Sequence, residues 1–576
     1  MKKIIFLFFF FGTLNIFATH NRAGEILYKR IPPYTTYTYS ITLIRYTDHG
    51  NGIADRCVDT LYFGDGQKGV APRTNGGTGL CNDCSQCGEI LINEPGYVLK
   101  ENIYSITHTY SSPGTFVVSS SDPNRNGGII NIPNSVNQPF YVESVIVING
   151  SLGINSSPVL TNLPADKGFV NTCYYHNPGA FDADGDSLSY QLIACKNASN
   201  QNIPGYFFPP FAPGGTFSIS PTNGSLVWCT PQSQGEYNIA ILVTEWRKIN
   251  CTGPYLFMGS VMRDMQAVIN NGTSAFISVS SIIDTCVVAG TVFNKTFTVT
   301  NNNQTNLTLI GSAANKSNLP LATLSSTTGI NSFNSSVVWN TNCAHAQNNS
   351  HKIVYYAEQV NTPRQKIYSQ FNLKVVPPAP VIVSVTTPTN HVVLTWKKVN
   401  GCNNIKGYYI YRKVGTNSWS HSSCETGVPS YAGFTLIGYK IPTDTVYDDG
   451  LFNPVANGST GNYIVTTLMK DCLESFADTI KTVSFIVGLK ENKLNENDLS
   501  VYPNPFLNNL QIDLQALTFE KVESTLYSID GKRIKSQVDK NCKGYLTLNT
   551  VDLDAGIYFL YLKTEKGTLV KKVIRQ

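Results

Sequence analysis

The sequence predicts an all-β protein made of several sandwich modules in tandem. Three observations carry this. The chain has 576 residues, enough for several domains. Charged residues make up 14% of it, against roughly 25% in ordinary soluble domains. Tyr, Phe, Thr, Ser, Asn and Gly fill the gap, and these are strand and turn formers. From Tyr37 to Tyr46 apolar and polar residues alternate, the period of a half-buried strand. The formal net charge of +5 is small and scattered. No basic stripe is present to follow a phosphate backbone, so nucleic acid is not an expected partner.

The first element is a leader. Lys2 and Lys3 precede an apolar run from Ile4 to Phe17, closed by Ala18. A charged start, an apolar stretch of this length and a small residue at its end define a signal peptide over residues 1–18. The run is too short to span a bilayer. No second long apolar run follows, so the mature chain is expected to be exported without a transmembrane segment. Export biases the 14 cysteines towards disulfides. Cys57, Cys81, Cys84 and Cys87 would suggest a metal in a cytosolic chain; here disulfides are the expectation.

Residues 19–152 form the first expected module. It contains TLYFGDG at 60–66 and THTYSSPGTFVV at 107–118. Gly64 and Gly66 permit a tight turn, Asp65 can cap its own loop, and Pro113-Gly114 turns the chain into its last strands. These segments resemble the polycystic-kidney-disease (PKD) type of β-sandwich. A cysteine-bearing insertion at 67–90 departs from that pattern.

Residues 153–378 contain an internal repeat. Cys173 to Trp228 is 55 residues and Cys286 to Trp339 is 53; Trp228 to Glu245 is 17 and Trp339 to Glu358 is 19. Two sister sandwiches are expected, 153–270 and 271–378, each with a core Trp. Through DADGDSLSY at 182–190 and GSLVW at 224–228, the first resembles cadherin-like domains of bacterial surface proteins.

Pro377 to Pro380 is a stiff extended linker. Beyond it, VVLTW at 392–396, GYYIYR at 407–412 and NYIVT at 462–466 resemble the strands of a fibronectin type III domain over 379–487. All the modules assigned so far are thus Ig-like sandwiches. Cys402 and Cys424 flank the IYR strand closely enough to staple a loop. With Cys286 and Cys343 they are the candidate disulfide cysteines, and Cys472 has no obvious partner.

Residues 488–500 are polar, charged and free of aromatics, as an exposed linker is. The remainder, 501–576, opens on VYPNPF and continues with LYSIDG at 526–531, LDAGIY at 553–558 and KKVI at 571–574. Together these resemble the type A C-terminal sorting domain of the type IX secretion system, a small β-sandwich. Tyr502, Pro503, Asn504, Pro505, Gly531, Gly556, Tyr558 and Lys572 occupy its signature positions. The resemblance implies transport to the cell surface by the type IX secretion machinery. It also implies removal of the tail within 488–500, then release or attachment to surface lipopolysaccharide.

Calcium is the one candidate cofactor. Asp182, Asp184 and Asp186 place three carboxylates in five residues around Gly185, a density of hard oxygen ligands suited to Ca²⁺. Glu245 and Asp264 are further acids that could join them. Position 12 of an EF-hand would be Ile193, so this is not one. The second copy carries Asn301, Asn302 and Asn303 instead and should not bind. A solvated acidic turn is the competing reading.

Aromatic clusters at Tyr206 to Phe211 and at Tyr34, Tyr37 and Tyr39 fit either a sugar platform or ordinary packing. No HExxH, GxSxG, P-loop or dinucleotide glycine pattern occurs, so an enzyme is not expected. The array resembles gliding-motility-associated surface proteins, which implies an adhesion or binding role towards a surface glycan or protein. Capture of polysaccharide for other surface enzymes, or a hydrolase with an unrecognised site, are the alternatives.

Overall fold

The computed structural model describes residues 21–49, 56–76, 87–248, 253–272, 277–301, 306–312, 322–325, 328–330, 332–359, 365–387, 391–450, 460–477, 479–484, 494 and 499–576. The signal peptide, Cys81, Cys84, Asn302 and Asn303 lie outside them. The described residues are strands, turns and a few 3-10 turns, with no α-helix. None contains a helix long and apolar enough to cross a membrane. The chain divides into two compact bodies: one runs to 453 and includes 460–483, and the other comprises 454–459 and 484–576.

In the first body one sheet crosses the expected boundary at 152/153. The strand Tyr255–Asn270 pairs along its length with Gly235–Lys248, and also with Phe140–Ile148, Asn21–Arg30 and Lys167–Phe169. Residues from both sides of that boundary therefore share one twelve-stranded sheet. The cause is the burial of Tyr255–Asn270, whose middle is covered on both faces. Its two charges are answered from the first module. Arg263 donates to Glu25, and Asp264 accepts from Arg125 at 2.6 Å; all four side chains are buried. Removing one partner of such a pair strands a buried charge, whereas keeping both fixes the register of the neighbouring strands.

The FGDG and HTY..PGTF segments meet. Phe63 stacks on His108, Tyr110 Oη donates to the Phe63 carbonyl, and Asp65 accepts from Gln67 N–H and faces His108 Nε2. Gly64 has φ +84°, and a Cβ there would lie 2.6 Å from Val117 backbone, so glycine is required.

The two repeat copies share strand connectivity. In each, a short strand runs parallel to the last strand: Lys167–Phe169 beside Tyr255–Asn270, and Thr285–Val288 beside Lys366–Val376. In each, the Trp strand belongs to the opposing sheet, and Trp228 and Trp339 are buried. The copies touch one another. Lys366 Nζ and Tyr368 Oη of the second bond to Asp166 of the first. His176 Nδ1 is 2.5 Å from the same carboxylate, which makes His176 a structural residue. The Lys366 ammonium and His176 overcome burial and hold Asp166 down to about 2.

Residues 379–487 form two sheets. Ile382–Thr386, Val392–Trp396 and Val446–Asp449 form one sheet; Thr435–Lys440, Ile405–Val414, Thr460–Met469 and Lys481–Ser484 form the other. The staple expected between Cys402 and Cys424 is not formed. Cys402 bonds Cys343 and Cys424 bonds Cys286, so both bridges tie this module to the preceding one. The ten-residue strand Ile405–Val414 carries the chain away from Cys402 before Cys424 is reached. Cys472 is also disulfide-bonded, as are Cys57 and Cys87.

The second body is a sheet of five strands, with Asn509–Ser528 paired to both Arg533–Asn549 and Gly556–Thr564. Leu494 and Leu499 are buried in its core. The expectation of an exposed linker across 488–500 therefore fails at these two apolar residues.

Candidate functional site

Two regions bear on function: the tail and the acidic loop. In the tail, Tyr502 ends the strand Ser500–Tyr502 and is 39% exposed. The chain after Pro503 lies along the last strand. Asn504 acts there like a piece of backbone: its Nδ2 donates to the Lys572 carbonyl at 3.0 Å, and its Oδ1 accepts from Ile574 N–H at 2.8 Å. Phe506, buried, continues the ladder through its N–H to the Ile574 carbonyl. Gly531 takes φ +81° in the Ser528–Lys532 turn. Gly556 opens the strand Gly556–Thr564 opposite Arg575, and Tyr558 Oη donates to the Asp554 carbonyl. Thus the YPNP motif clamps the start of the tail to its end.

Asn504→Ala should therefore lower the stability of the tail by roughly 1–3 kcal/mol and reduce the amount of protein reaching the cell surface. Tyr502→Ala should have a smaller effect on melting. Equal melting and equal export of Asn504→Ala and the parent chain would refute the clamp.

The acidic loop is distributed among three different partners. Asp182 Oδ1 accepts from the N–H groups of Asp184 and Asp186, both at 2.9 Å. Asp184 accepts from Ser156 N–H at 2.6 Å. Asp186 is held by Arg247, whose Nε and Nη2 donate to its two oxygens at 2.6 and 2.7 Å. Glu245, fully buried, accepts from Asn155 Nδ2 at 2.8 Å and Tyr28 Oη at 3.1 Å. Burial and the charge of Asp186 push Asp182 up to about 7; burial and the charge of Asp182 push Glu245 well above the carboxylate range. Glu245 therefore joins the acidic loop and Asp264 does not, since Asp264 is bound to Arg125 and Asn238.

The residues present do not fit calcium as they stand. Arg247 already occupies both oxygens of Asp186, and among the described residues no three His, Cys, Asp or Glu side chains gather as a metal cage, although Asp182 Oδ2 and Glu245 Oε1 have no hydrogen-bond partner there. Sequence reasoning missed Arg247 and Asn155. The signal for the first is its place two residues after Glu245 on the same strand. It also missed the Cys173–Cys229 bridge, although Tyr174 pairs with Trp228 and so sets the two cysteines beside each other.

Beside the loop lies a cleft of about 380 Å³ whose walls come mainly from three modules, with Leu152 added from the end of the first. Trp246 and Tyr255 line one wall, Asn348 and Asn349 another, and Lys470 a third. The aromatic cluster Tyr206 to Phe211 divides: Tyr206 packs against the core, while Phe207, Phe208 and Phe211 are exposed. Of the other cluster Tyr39 is buried and Tyr34 exposed.

Residues 500–576 match the family described as a secretion system C-terminal sorting domain. The chain is an all-β secreted or cell-surface protein carrying a type IX secretion sorting domain. That domain implies an interaction with the type IX secretion machinery. No curated protein matches the chain. Among solved structures it is similar to a two-domain fibronectin type III segment of chicken tenascin. The match has 12% identity, covers 34% of this chain and 99% of that one, and has a TM-score of 0.16. It is also similar to Sidekick-1 immunoglobulin domains 1–5, at 10% identity, 76% and 86% coverage and a TM-score of 0.18. A third similarity is to extracellular domains 3–5 of Drosophila OTK, at 10%, 57% and 97%, and 0.18. Scores this low carry no argument, and the all-β class stands on the strands themselves.

Proposed function

We propose that this is a non-enzymatic binding protein of the cell surface, and that the three-module cleft takes a saccharide. The observation that carries this is the lining of the cleft. Trp246 and Tyr255 offer aromatic faces, as sugar rings need on their apolar side. The Trp246 indole N–H is committed to Ser189 Oγ at 2.8 Å, which fixes the ring. Lys470 lines the same cleft and forms no ion pair among the described residues, so it remains available to a sugar hydroxyl or carboxylate; Lys248 Nζ lies 5.9 Å over the Tyr255 ring. Adhesion to a glycan-coated surface and capture of polysaccharide for neighbouring enzymes both use such a cleft.

The test is binding of the full chain to an acidic polysaccharide (alginate, polygalacturonate) and a neutral one (laminarin), with Trp246→Ala and Phe208→Ala variants. Trp246→Ala should weaken binding about tenfold, or ~1.4 kcal/mol, and Phe208→Ala should not. The reverse result would move the platform to the 206–211 cluster. Turnover of any of these polymers would replace the binding reading with an enzyme.

A further inference from the structure

Arg247 sits near the end of the strand Gly235–Lys248 and spends its guanidinium on oxygen alone. Nε and Nη2 hold the two oxygens of Asp186. Nη1 donates to the carbonyls of Leu152 and Ile154, each at 2.9 Å, and Nη2 also donates to Asn155 Oδ1 at 2.8 Å. Two carboxylate oxygens, two backbone carbonyls and one side-chain amide oxygen are the kinds of ligand a calcium ion collects. Here they surround a planar cation whose five N–H groups are fixed in one fork. Asn155 extends the arrangement, since its other end donates to Glu245.

The charges give the same picture. Among the described residues Arg247 is the one cation bonded to any of Asp182, Asp184, Asp186 and Glu245; it bonds Asp186 directly, and its charge also favours the ionised forms of Asp182 and Asp184. The repeat supplies an internal comparison. Where the second copy has Asn301, Asn302 and Asn303 in place of the acids, it has Val360 two residues after Glu358. Acids and arginine are lost together, as expected if one serves the other.

We propose that Arg247 is the resident cation of this loop: its guanidinium fills the oxygen cage in which a divalent cation would sit, so the module folds without calcium, and removing the guanidinium opens a calcium site. The sequence expectation of a calcium-binding loop is thereby replaced by a self-contained one.

The experiment is thermal melting of the full chain in Ca²⁺ and in EGTA, with terbium luminescence as a second readout. The parent chain should melt identically in both and should not bind Tb³⁺ at this loop. Arg247→Ser should melt lower in EGTA and recover in Ca²⁺. It should also bind Tb³⁺ with emission sensitised by the neighbouring Trp246. A parent chain that melts higher in Ca²⁺ overturns the proposal, as does an Arg247→Ser variant whose lowered melting is blind to Ca²⁺. If Arg247→Ser does not fold in either buffer, Asp186→Asn is added to it, which removes the carboxylate most in need of a partner. That double variant should fold without calcium, and its failure to do so also overturns the proposal.

Discussion

Asp182→Asn is expected to stabilise the protein at pH 8 and to change it far less at pH 5. Asp182 is buried, and its Oδ1 accepts two backbone N–H groups, a role the asparagine oxygen keeps. Its Oδ2 has no hydrogen-bond partner among the described residues. Burial and the neighbouring Asp186 charge raise its folded pKa to about 7, while in the unfolded chain a carboxyl titrates near ~4. The folded state therefore holds the proton more tightly. The resulting stability is complete below about 4 and is lost as pH rises through about 7. Glu245, raised well above the usual carboxylate range by burial and by Asp182, makes stability fall with rising pH in the same direction.

Other groups frame the window. His351 is pushed down to about 4 by burial, and His176 and His345 also downwards, so their contribution is lost as pH falls below their unfolded value near ~6.5. Lys352, lowered to about 8 by burial, acts above that value. Between about pH 6.5 and 8 the acidic loop dominates. Each tenfold difference in proton affinity between the folded and unfolded chain corresponds to ~1.4 kcal/mol, so the substitution should gain up to ~4 kcal/mol at pH 8. The check is melting of parent and variant in EGTA across that range. A variant that melts lower than the parent at pH 8 would show that the Asp182 carboxylate holds something the loop needs.

What could be read in advance depended on how local the information was. The tail was legible because YPNP, the Gly531 turn and the Gly556–Tyr558 strand each carry their own chemistry within a few residues. The 379–487 module was legible for the same reason: Trp396 and the GYYIYR strand are self-announcing. The sheet across 152/153 was not. Ala23 pairs with Met265 across most of the first body, and nothing near either residue names its partner. Only the buried charges could have hinted at it, since Arg263 in an otherwise apolar strand demands an acid, which Glu25 supplies. The acidic loop was legible only in part, for a related reason. Three aspartates in five residues are visible in sequence, but the cation that answers them comes from a strand some sixty residues later.

The two bridges between the third and fourth modules should dominate the mechanical integrity of the first body. Cys286–Cys424 closes a sequence separation of 138 residues and Cys343–Cys402 one of 59. Loops of that length correspond to ~4–5 kcal/mol each in chain entropy, less than additive because one lies inside the other. The other contacts between these modules that can be named are light: Asn348 N–H to Asp471 at 2.6 Å, and Thr467 Oγ1 to the Pro378 carbonyl at 2.7 Å. A neutral hydrogen bond contributes about 1 kcal/mol and one to a carboxylate roughly 1.5–3 kcal/mol, so the covalent links outweigh them. Cys402→Ser with Cys424→Ser should therefore lower the melting temperature. It should also expose the Pro377–Pro380 connection to limited proteolysis, as should reductant on the parent chain. Because Asn348, Asn349 and Lys470 stand on opposite sides of that connection and line one cleft, the same variant should lose saccharide binding in step with protease resistance. Unchanged proteolysis in the double variant would mean that the modules hold together without the bridges. Retained binding despite cleavage would place the saccharide elsewhere.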